Sequence, residues 1–166
     1  MQLVTSPDPI LKQTASEWDF SATNAVAGAE IVEKQMVELM LAKNGIGLAA
    51  NQVGMAYRVF AIQLKDREPF CMFNPKVLAY STDLEEGEEG CLSFPDLWLK
   101  VKRYSTITAE YLDTQGKECT ITLKGLDARC FLHELDHLDG VCFTDKVSPL
   151  KLTMAIKKQQ KRKRNG

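Results

Sequence analysis

The sequence of 166 residues lacks several features that would assign it to a class at once. It has no apolar run long enough to cross a membrane, and its amino terminus (MQLVTSPDPILKQTA) lacks the apolar block of a secretion signal. The five cysteines form no CxxC pair, and their odd number argues against a disulfide framework. The 21 basic and 22 acidic residues nearly cancel, so the total charge indicates no polyanionic partner. These absences favour a cytoplasmic protein without a membrane segment, which we expect to be a monomer.

The balanced total charge conceals one uneven segment at the carboxyl end. Residues 157–166 (KKQQKRKRNG) carry six cations and no acid, which leaves 15 basic against 22 acidic residues, a net charge of −7, on the rest. We expect residues 1–156 to form a single domain, since this length can bury a substantial core, and residues 157–166 to form a short basic tail.

Histidine is scarce, and both histidines fall in one stretch, HELDH at residues 133–137. A helix advances about 100° per residue, so His133, Glu134 and His137 share one narrow sector. Two imidazoles four residues apart can bind one cation, and the glutamate beside them can act as a base. Cys130 shares this sector. The opposite side is apolar, with Phe131, Leu132, Leu135 and Leu138.

The remaining periodicity predicts a mixture of helices and antiparallel strands. We predict an amphipathic helix from about residue 24 to 43, ended by Asn44-Gly45, and a metal-binding helix over residues 126–139. Between them the sequence predicts strands at 57–64, 70–73 and 76–80, a solvated acidic loop at 83–89, and a hairpin of 106–112 with 118–123. A short last helix starts at Ser148-Pro149. The expected class is α+β, with antiparallel sheets packed around a central metal-binding helix.

A catalytic metal needs a third protein ligand, and two cysteines compete for that position. Cys91 follows the acidic loop and Gly90, where the backbone can bend a thiolate toward the helix. Cys130 lies one turn before His133, and if both cysteines bound the metal, the site would be a closed structural Cys2His2 centre. Asp136, on the flank of the helix, is better placed to orient His133 than to bind metal.

Three motifs together resemble those of the peptide deformylase family. They are GIGLAANQ (45–52), EGCLS (89–93) and HELDH (133–137), and the likeness extends to ILKQTA near the start, FNP (73–75), VKR (101–103) and HLDGVCF (137–143). The resemblance implies hydrolysis of the formyl group from the formylmethionine of nascent polypeptides. Leu132 stands where the family usually has glutamine, and the carboxyl-terminal segment is short, as in phage-encoded or organellar members.

The resemblance also implies a role for each matched residue. Cys91, His133 and His137 resemble the metal ligands, and Glu134 resembles the general base and acid. Gln52 and the backbone N–H of Leu92 resemble the donors to the developing oxyanion. The substrate-binding residues are Gly45, Ile46 and Gly47, an edge for the peptide, with Leu126 and Cys130 lining the methionine pocket above His133.

The resemblance further implies Fe(2+), with Ni(2+), Co(2+) or Zn(2+) as substitutes, whereas the ligand types alone would suggest zinc. It also implies contact between the basic tail and the ribosome. Two other hypotheses stay open at this point: an HExxH metallopeptidase, which lacks its usual third ligand here, and a non-catalytic protein with the closed Cys2His2 site.

Overall fold

The computed structural model describes residues 1–165, and Gly166, the end of the predicted basic tail, lies outside the described residues. The elements in chain order are α1 (Ala25–Ala42), β1 (Gly47–Ala49), β2 (Val59–Ile62), β3 (Phe70–Tyr80), β4 (Leu84–Cys91), β5 (Phe94–Tyr104), β6 (Thr106–Leu112), β7 (Glu118–Lys124), α2 (Gly125–Leu138) and α3 (Pro149–Asn165). Short 3-10 turns lie at Pro9–Lys12, Ala50–Val53 and Phe143–Lys146.

Two antiparallel sheets enclose helix α2. Five strands form one sheet in the order β1-β2-β3-β6-β7, and β4 pairs with β5 in a separate two-stranded sheet. Helix α2 contacts strands of both sheets. This arrangement confirms the predicted α+β class and the central position of the helix.

The apolar back of α2 forms the centre of the core. Phe131 is fully buried and meets Phe60 of β2 edge to face, with ring centroids 5.2 Å apart. Leu132 is buried in the same cluster, so the residue that departs from the family pattern serves packing. Helix α1 covers the other side of the large sheet with Ala29, Met36 and Met40, as its periodicity predicts.

The predicted acidic loop is wrong, because residues 84–91 form strand β4. The reason is visible in the partner strand, which places basic residues opposite the acidic ones: Glu86 pairs with Lys102, and Glu88 pairs with Lys100. Opposite charges on directly facing residues stabilise an antiparallel pair. A run that looks solvated by itself is therefore neutralised by a strand that follows it in the chain.

The last helix is longer than predicted. Helix α3 continues from Pro149 to Asn165, so the basic segment forms its second half. Within residues 1–165, no helix is both long and apolar enough to cross a membrane.

Candidate metal centre

Three side chains meet at the junction of β4 and α2. Cys91 ends β4, whereas His133 and His137 lie one turn apart on α2. The ligand atoms of these three residues lie within 4.8 Å of one another, and Cys91 Sγ is 3.2 Å from His137 Nε2. The structure thus brings together the three residues that the sequence suggested as metal ligands.

The orientation of His133 is fixed by Glu89, a residue that the sequence analysis placed in a solvated loop. Glu89 is buried, and its Oε2 lies 2.9 Å from His133 Nδ1. Arg103 donates from Nε and Nη2 to the two carboxylate oxygens at 2.9 and 3.0 Å, and Arg129 Nη1 donates to Oε1 at 2.9 Å. The bond at Nδ1 leaves His133 Nε2 for the cluster, which is how an outer carboxylate orients a ligating histidine.

Asp136 does not have the orienting role that we expected for it. Its carboxylate accepts a hydrogen bond from Arg103 Nη1 and pairs with Lys146 at 3.1 Å. Asp136 therefore supports Arg103, which in turn holds Glu89, and it does not contact His133 through a hydrogen bond of its own among the described residues. The sequence contained a sign that Glu89 lies near the metal ligands, since residues 89 and 91 point to the same face if this segment is a strand. It could be read only after 84–91 was known to be a strand.

The electrostatics of the centre favour a cation. Burial would raise the pKa of Glu89, but hydrogen bonds from His133 and Arg103 outweigh burial and lower it to about 2. Burial disfavours charge on His133 too, yet Cys91 and Glu89 raise its pKa to about 10. Burial lowers the pKa of His137 well below its usual range, which leaves a neutral imidazole. One sulfur and two imidazole nitrogens, backed by a carboxylate, therefore fit a divalent metal ion, which competes with protons for such ligands.

Cys130 takes no part in this cluster. Its thiol donates to the carbonyl oxygen of Ile46 at 3.3 Å, and burial raises its pKa well above the usual range. Among the described residues, the group that can hold a metal contains Cys91 and not Cys130. The geometry therefore disfavours a closed Cys2His2 site and leaves a coordination position open.

Glu134 lies beside the cluster with a free oxygen. The residue is buried, and its Oε2 has no hydrogen-bond partner among residues 1–165. Burial raises its pKa to about 7, whereas a cation at the cluster would favour the carboxylate. Gly47 makes room for it, because a Cβ at that position would stand 2.3 Å from Glu134 Oε1. Glycine at residue 47 therefore leaves the space that the Glu134 carboxylate occupies.

The amide of Gln52 is held in one orientation. Its Oε1 accepts from the Ala49 N–H at 2.8 Å, and its Nε2 donates to Ser93 Oγ at 3.0 Å and contacts Cys91 Sγ at 3.4 Å. The amino group is thus directed toward the cluster. Leu92 follows Cys91 in the chain and borders the cleft into which the cluster opens.

A second residue near the centre was also missed by the sequence analysis. Asn51 is fully buried, and its Nδ2 donates to the carbonyl oxygen of His137. It ties the Ala50–Val53 turn to the last turn of α2. No pattern in the sequence links residues 51 and 137, since the contact joins segments 86 residues apart.

The cluster opens into a cleft of about 660 Å³. All five of the predicted substrate-binding residues border this cleft, as do Gln52, Cys91, His133 and Glu134. Ile46 and Leu126 are 45% and 63% exposed, so they present apolar surface at its entrance. The cleft can hold an extended chain between the Gly45–Gly47 segment and the edge of β4.

Comparisons with known proteins give one family. The family model described as polypeptide deformylase matches residues 1–153. The chain is 38% identical to a peptide deformylase of Rhizobium meliloti over 160 residues, which cover 94% of this chain and 90% of that protein. It is 39% identical to peptide deformylase 1 of Vibrio vulnificus over 163 residues, covering 97% and 94%. Its structure is similar to that of a peptide deformylase from Synechococcus elongatus in complex with actinonin, with a TM-score of 0.87, 34% identity, and coverage of 96% and 88%.

Replacing Glu89 by glutamine should destabilise the whole fold. The Glu89→Gln change leaves the buried Arg129 without a counter-charge and Arg103 with Asp136 alone, so we expect the free energy of unfolding to fall by about 3–5 kcal/mol. Urea denaturation measures this loss. Glu88→Gln is the matched control, because Glu88 is the exposed neighbour on the other face of β4 and should change stability by less than about 0.5 kcal/mol. Equal losses in the two variants would contradict the role of Glu89.

Proposed function

The chain belongs to the polypeptide deformylase family and removes the formyl group from the formylmethionine of nascent polypeptides, and we propose that Glu134 is the residue that moves the proton in this reaction. The observation that carries the proposal is the position of Glu134 Oε2, which is buried and unpartnered within residues 1–165, beside Cys91, His133 and His137. Hydrolysis adds water across the bond between the formyl carbon and the methionine nitrogen. Formate and a free amino terminus are the products.

Cys91, His133 and His137 are the residues that hold the metal. When bound, the metal supplies Lewis-acid polarisation and makes water a stronger nucleophile near neutral pH. We assign Fe(2+), supported by the family resemblance, with Ni(2+), Co(2+) or Zn(2+) as substitutes that fit the same ligands. The contact of Glu89 with His133 Nδ1 leaves Nε2 as the nitrogen that would hold the metal.

Glu134 handles the proton at both stages of the reaction. Its Oε2 accepts a proton from the attacking water as the oxygen–carbon bond forms. The same oxygen then donates that proton to the methionine nitrogen as the carbon–nitrogen bond breaks. Burial raises the pKa of Glu134 toward neutral pH, and a group that both takes and gives a proton works best when its pKa is near the operating pH.

Gln52 and Leu92 stabilise the charge that develops on the formyl oxygen. The Gln52 amino group is already directed toward the cluster by the bond between its Oε1 and the Ala49 N–H. The backbone N–H of Leu92 follows the ligand Cys91. Donors fixed before the reaction favour the transition state over the ground state, since full negative charge exists only there.

The substrate lies along the Gly45–Gly47 segment as an added strand, and its methionine side chain enters the cleft. Ile46, Leu126 and Cys130 supply the apolar lining, with His133 at the base. Cys130 suits this position because its neutral thiol behaves as a small apolar group.

The second half of α3 contacts the ribosome. Its six basic residues are all exposed: Lys157, Lys158, Lys161, Arg162, Lys163 and Arg164. They lie on one helix, beyond a body of opposite net charge, so contact with RNA phosphates is confined to this segment. The protein acts in the cytosol of a bacterium, or of its host if a phage encodes it, where its five free thiols stay reduced.

Removing the carboxylate of residue 134 should abolish turnover without loss of metal. For Glu134→Ala and the similarly sized Glu134→Gln, we expect kcat for formate release from formyl-Met-Ala-Ser to fall by at least ~10²–10⁴-fold, the usual worth of a positioned acid–base group. Elemental analysis should give an unchanged metal content. A variant that loses its metal would show that Glu134 is a ligand and that the assignment is wrong.

The metal content should depend on Cys91 and not on Cys130. Protein prepared without oxygen should contain iron, Cys130→Ser should retain it, and Cys91→Ser should lose it, because only Cys91 lies within the ligand cluster. Metal analysis of the three proteins makes the comparison. Loss of metal from Cys130→Ser would support a closed structural site, and stoichiometric zinc in the native protein would overturn the iron assignment.

The cleft should select methionine at the first position of the substrate. The kcat/KM for formyl-Met-Ala-Ser should exceed that for formyl-Ala-Ala-Ser by a ratio that corresponds to about 2–3 kcal/mol of transition-state binding. The alanine peptide loses roughly three buried CH₂ equivalents at ~0.8 kcal/mol each. Steady-state formate release measures both. Equal values for the two peptides would exclude this cleft as the methionine pocket.

Cutting the chain after Ile156 should weaken ribosome binding only. Engagement of all six cations with phosphates would give a log–log salt slope of about −4 to −5, so co-sedimentation of the full-length protein with ribosomes should fade quickly with added salt. The shortened chain should sediment poorly even at low salt, while its hydrolysis of formyl-Met-Ala-Ser stays unchanged. If both forms sediment alike, the basic segment has no role in docking.

A further inference from the structure

A second groove lies between α3 and the β4–β5 sheet. Its volume is about 850 Å³, larger than that of the cleft at the metal centre. Trp98 and Met154 present its apolar surface and are 56% and 62% exposed. Neither the metal cluster nor Glu134 borders it, so the reaction leaves this groove unexplained.

The groove continues directly from the active-site cleft. Glu88, Asp96 and Trp98 border both spaces. Gly90 pairs with Trp98 across the two strands, and the indole lies so close that a Cβ on Gly90 would stand 3.0 Å from the ring. A bound peptide that starts at Cys91 and follows the edge of β4 would pass Gly90 and then Glu88, where the groove begins.

The helical wall of the groove is fixed to the sheet. Gln159 Nε2 donates to the carbonyl oxygen of Pro95 at 2.6 Å, and Lys151 and Lys163 pair with Glu86 and Asp96 at 3.5 and 3.6 Å. Leu152 and Ala155 pack on the apolar cluster beneath β5. The groove is therefore formed in the free protein, and its occupant need not order the helix.

The chemistry of the lining indicates the kind of occupant. Three acidic residues on the strand side face four basic residues on the strands and helix, so the groove has little net charge: Glu86, Glu88, Asp96, Lys100, Lys151, Lys158 and Arg162. Its unused binding surface is apolar and includes one large aromatic ring. Such a surface favours an aromatic or long aliphatic side chain on an extended polypeptide.

We propose that this groove binds the part of the nascent polypeptide that follows its third residue, with a preference for an aromatic side chain there. This inference rests on the proposed function, because it places the formyl group at Cys91. A strand advances about 3.4 Å per residue, so a peptide with its first residue beside Gly90 brings its fourth to sixth residues level with Glu86 and the groove.

Extended formyl-peptides test the proposal. The reference substrate is formyl-Met-Ala-Ser-Ala-Ala-Ala, and three further peptides carry phenylalanine at position four, five or six. In the native protein, at least one phenylalanine peptide should have a kcat/KM about fivefold above that of the reference, because partial burial of an aromatic ring contributes binding free energy of about this size. Met154→Ala should lose most of that advantage. Leu150→Ala should keep it, since Leu150 is 70% exposed on the same helix and does not border the groove.

The short substrate formyl-Met-Ala-Ser separates this proposal from the one on which it rests. All three proteins should hydrolyse it at the same rate, because it has no residue at positions four to six. Failure of the native protein to hydrolyse it would overturn the proposed function itself. If it is hydrolysed but phenylalanine gives no advantage, or if Met154→Ala and Leu150→Ala lose the advantage equally, the groove does not bind the polypeptide and the inference is wrong.

Discussion

The buried carboxylate of Glu89 is the contact on which the rest of the structure depends. It joins Arg103 of β5, Arg129 of α2 and His133 of the metal cluster, so the two-stranded sheet and the central helix are held at one point. Hydrogen bonds from His133 and Arg103 outweigh the cost of burying this carboxylate, which is why the pKa of Glu89 is lowered to about 2. Because Glu89 is two residues from Cys91, the same strand that supplies one candidate metal ligand also orients another.

A second constraint is the space around Glu134. The Glu134 carboxylate is buried beside the cluster of Cys91, His133 and His137, and the space for it exists because Gly47 has no side chain. Burial in turn raises the pKa of Glu134, so the same close packing sets both the location and the proton affinity of the proposed base. Packing also fixes Gln52 in advance, since the hydrogen bond from the Ala49 N–H to its Oε1 directs its amino group toward the cluster.

The β4–β5 sheet serves two sites through its two faces. Glu89 and Arg103 face the metal helix, whereas Glu88, Lys100 and Trp98 lie on the opposite face and border the groove. Helix α3 forms the other wall of this groove and also packs on the cluster of Leu97, Leu99 and Val101. The alternation of a strand makes this division unavoidable once one face is buried. The cleft at the metal cluster and the proposed polypeptide groove are continuous, because Glu88, Asp96 and Trp98 border both.

The sequence by itself determined the metal helix, the α+β class, and the three motifs whose residues meet at the centre. These follow from short-range regularities: the 100° step places His133, Glu134 and His137 in one sector, and the hairpin of β6 and β7 shows its own alternation. Only the tertiary structure decided that Glu89 is buried, that Cys130 turns to the Ile46 carbonyl, and that Asn51 holds the end of α2. The physical reason is that each of these outcomes depends on a partner distant in the chain. An acidic stretch becomes a strand only when a basic strand lies opposite it, and a glutamate becomes buried only when two arginines accompany it.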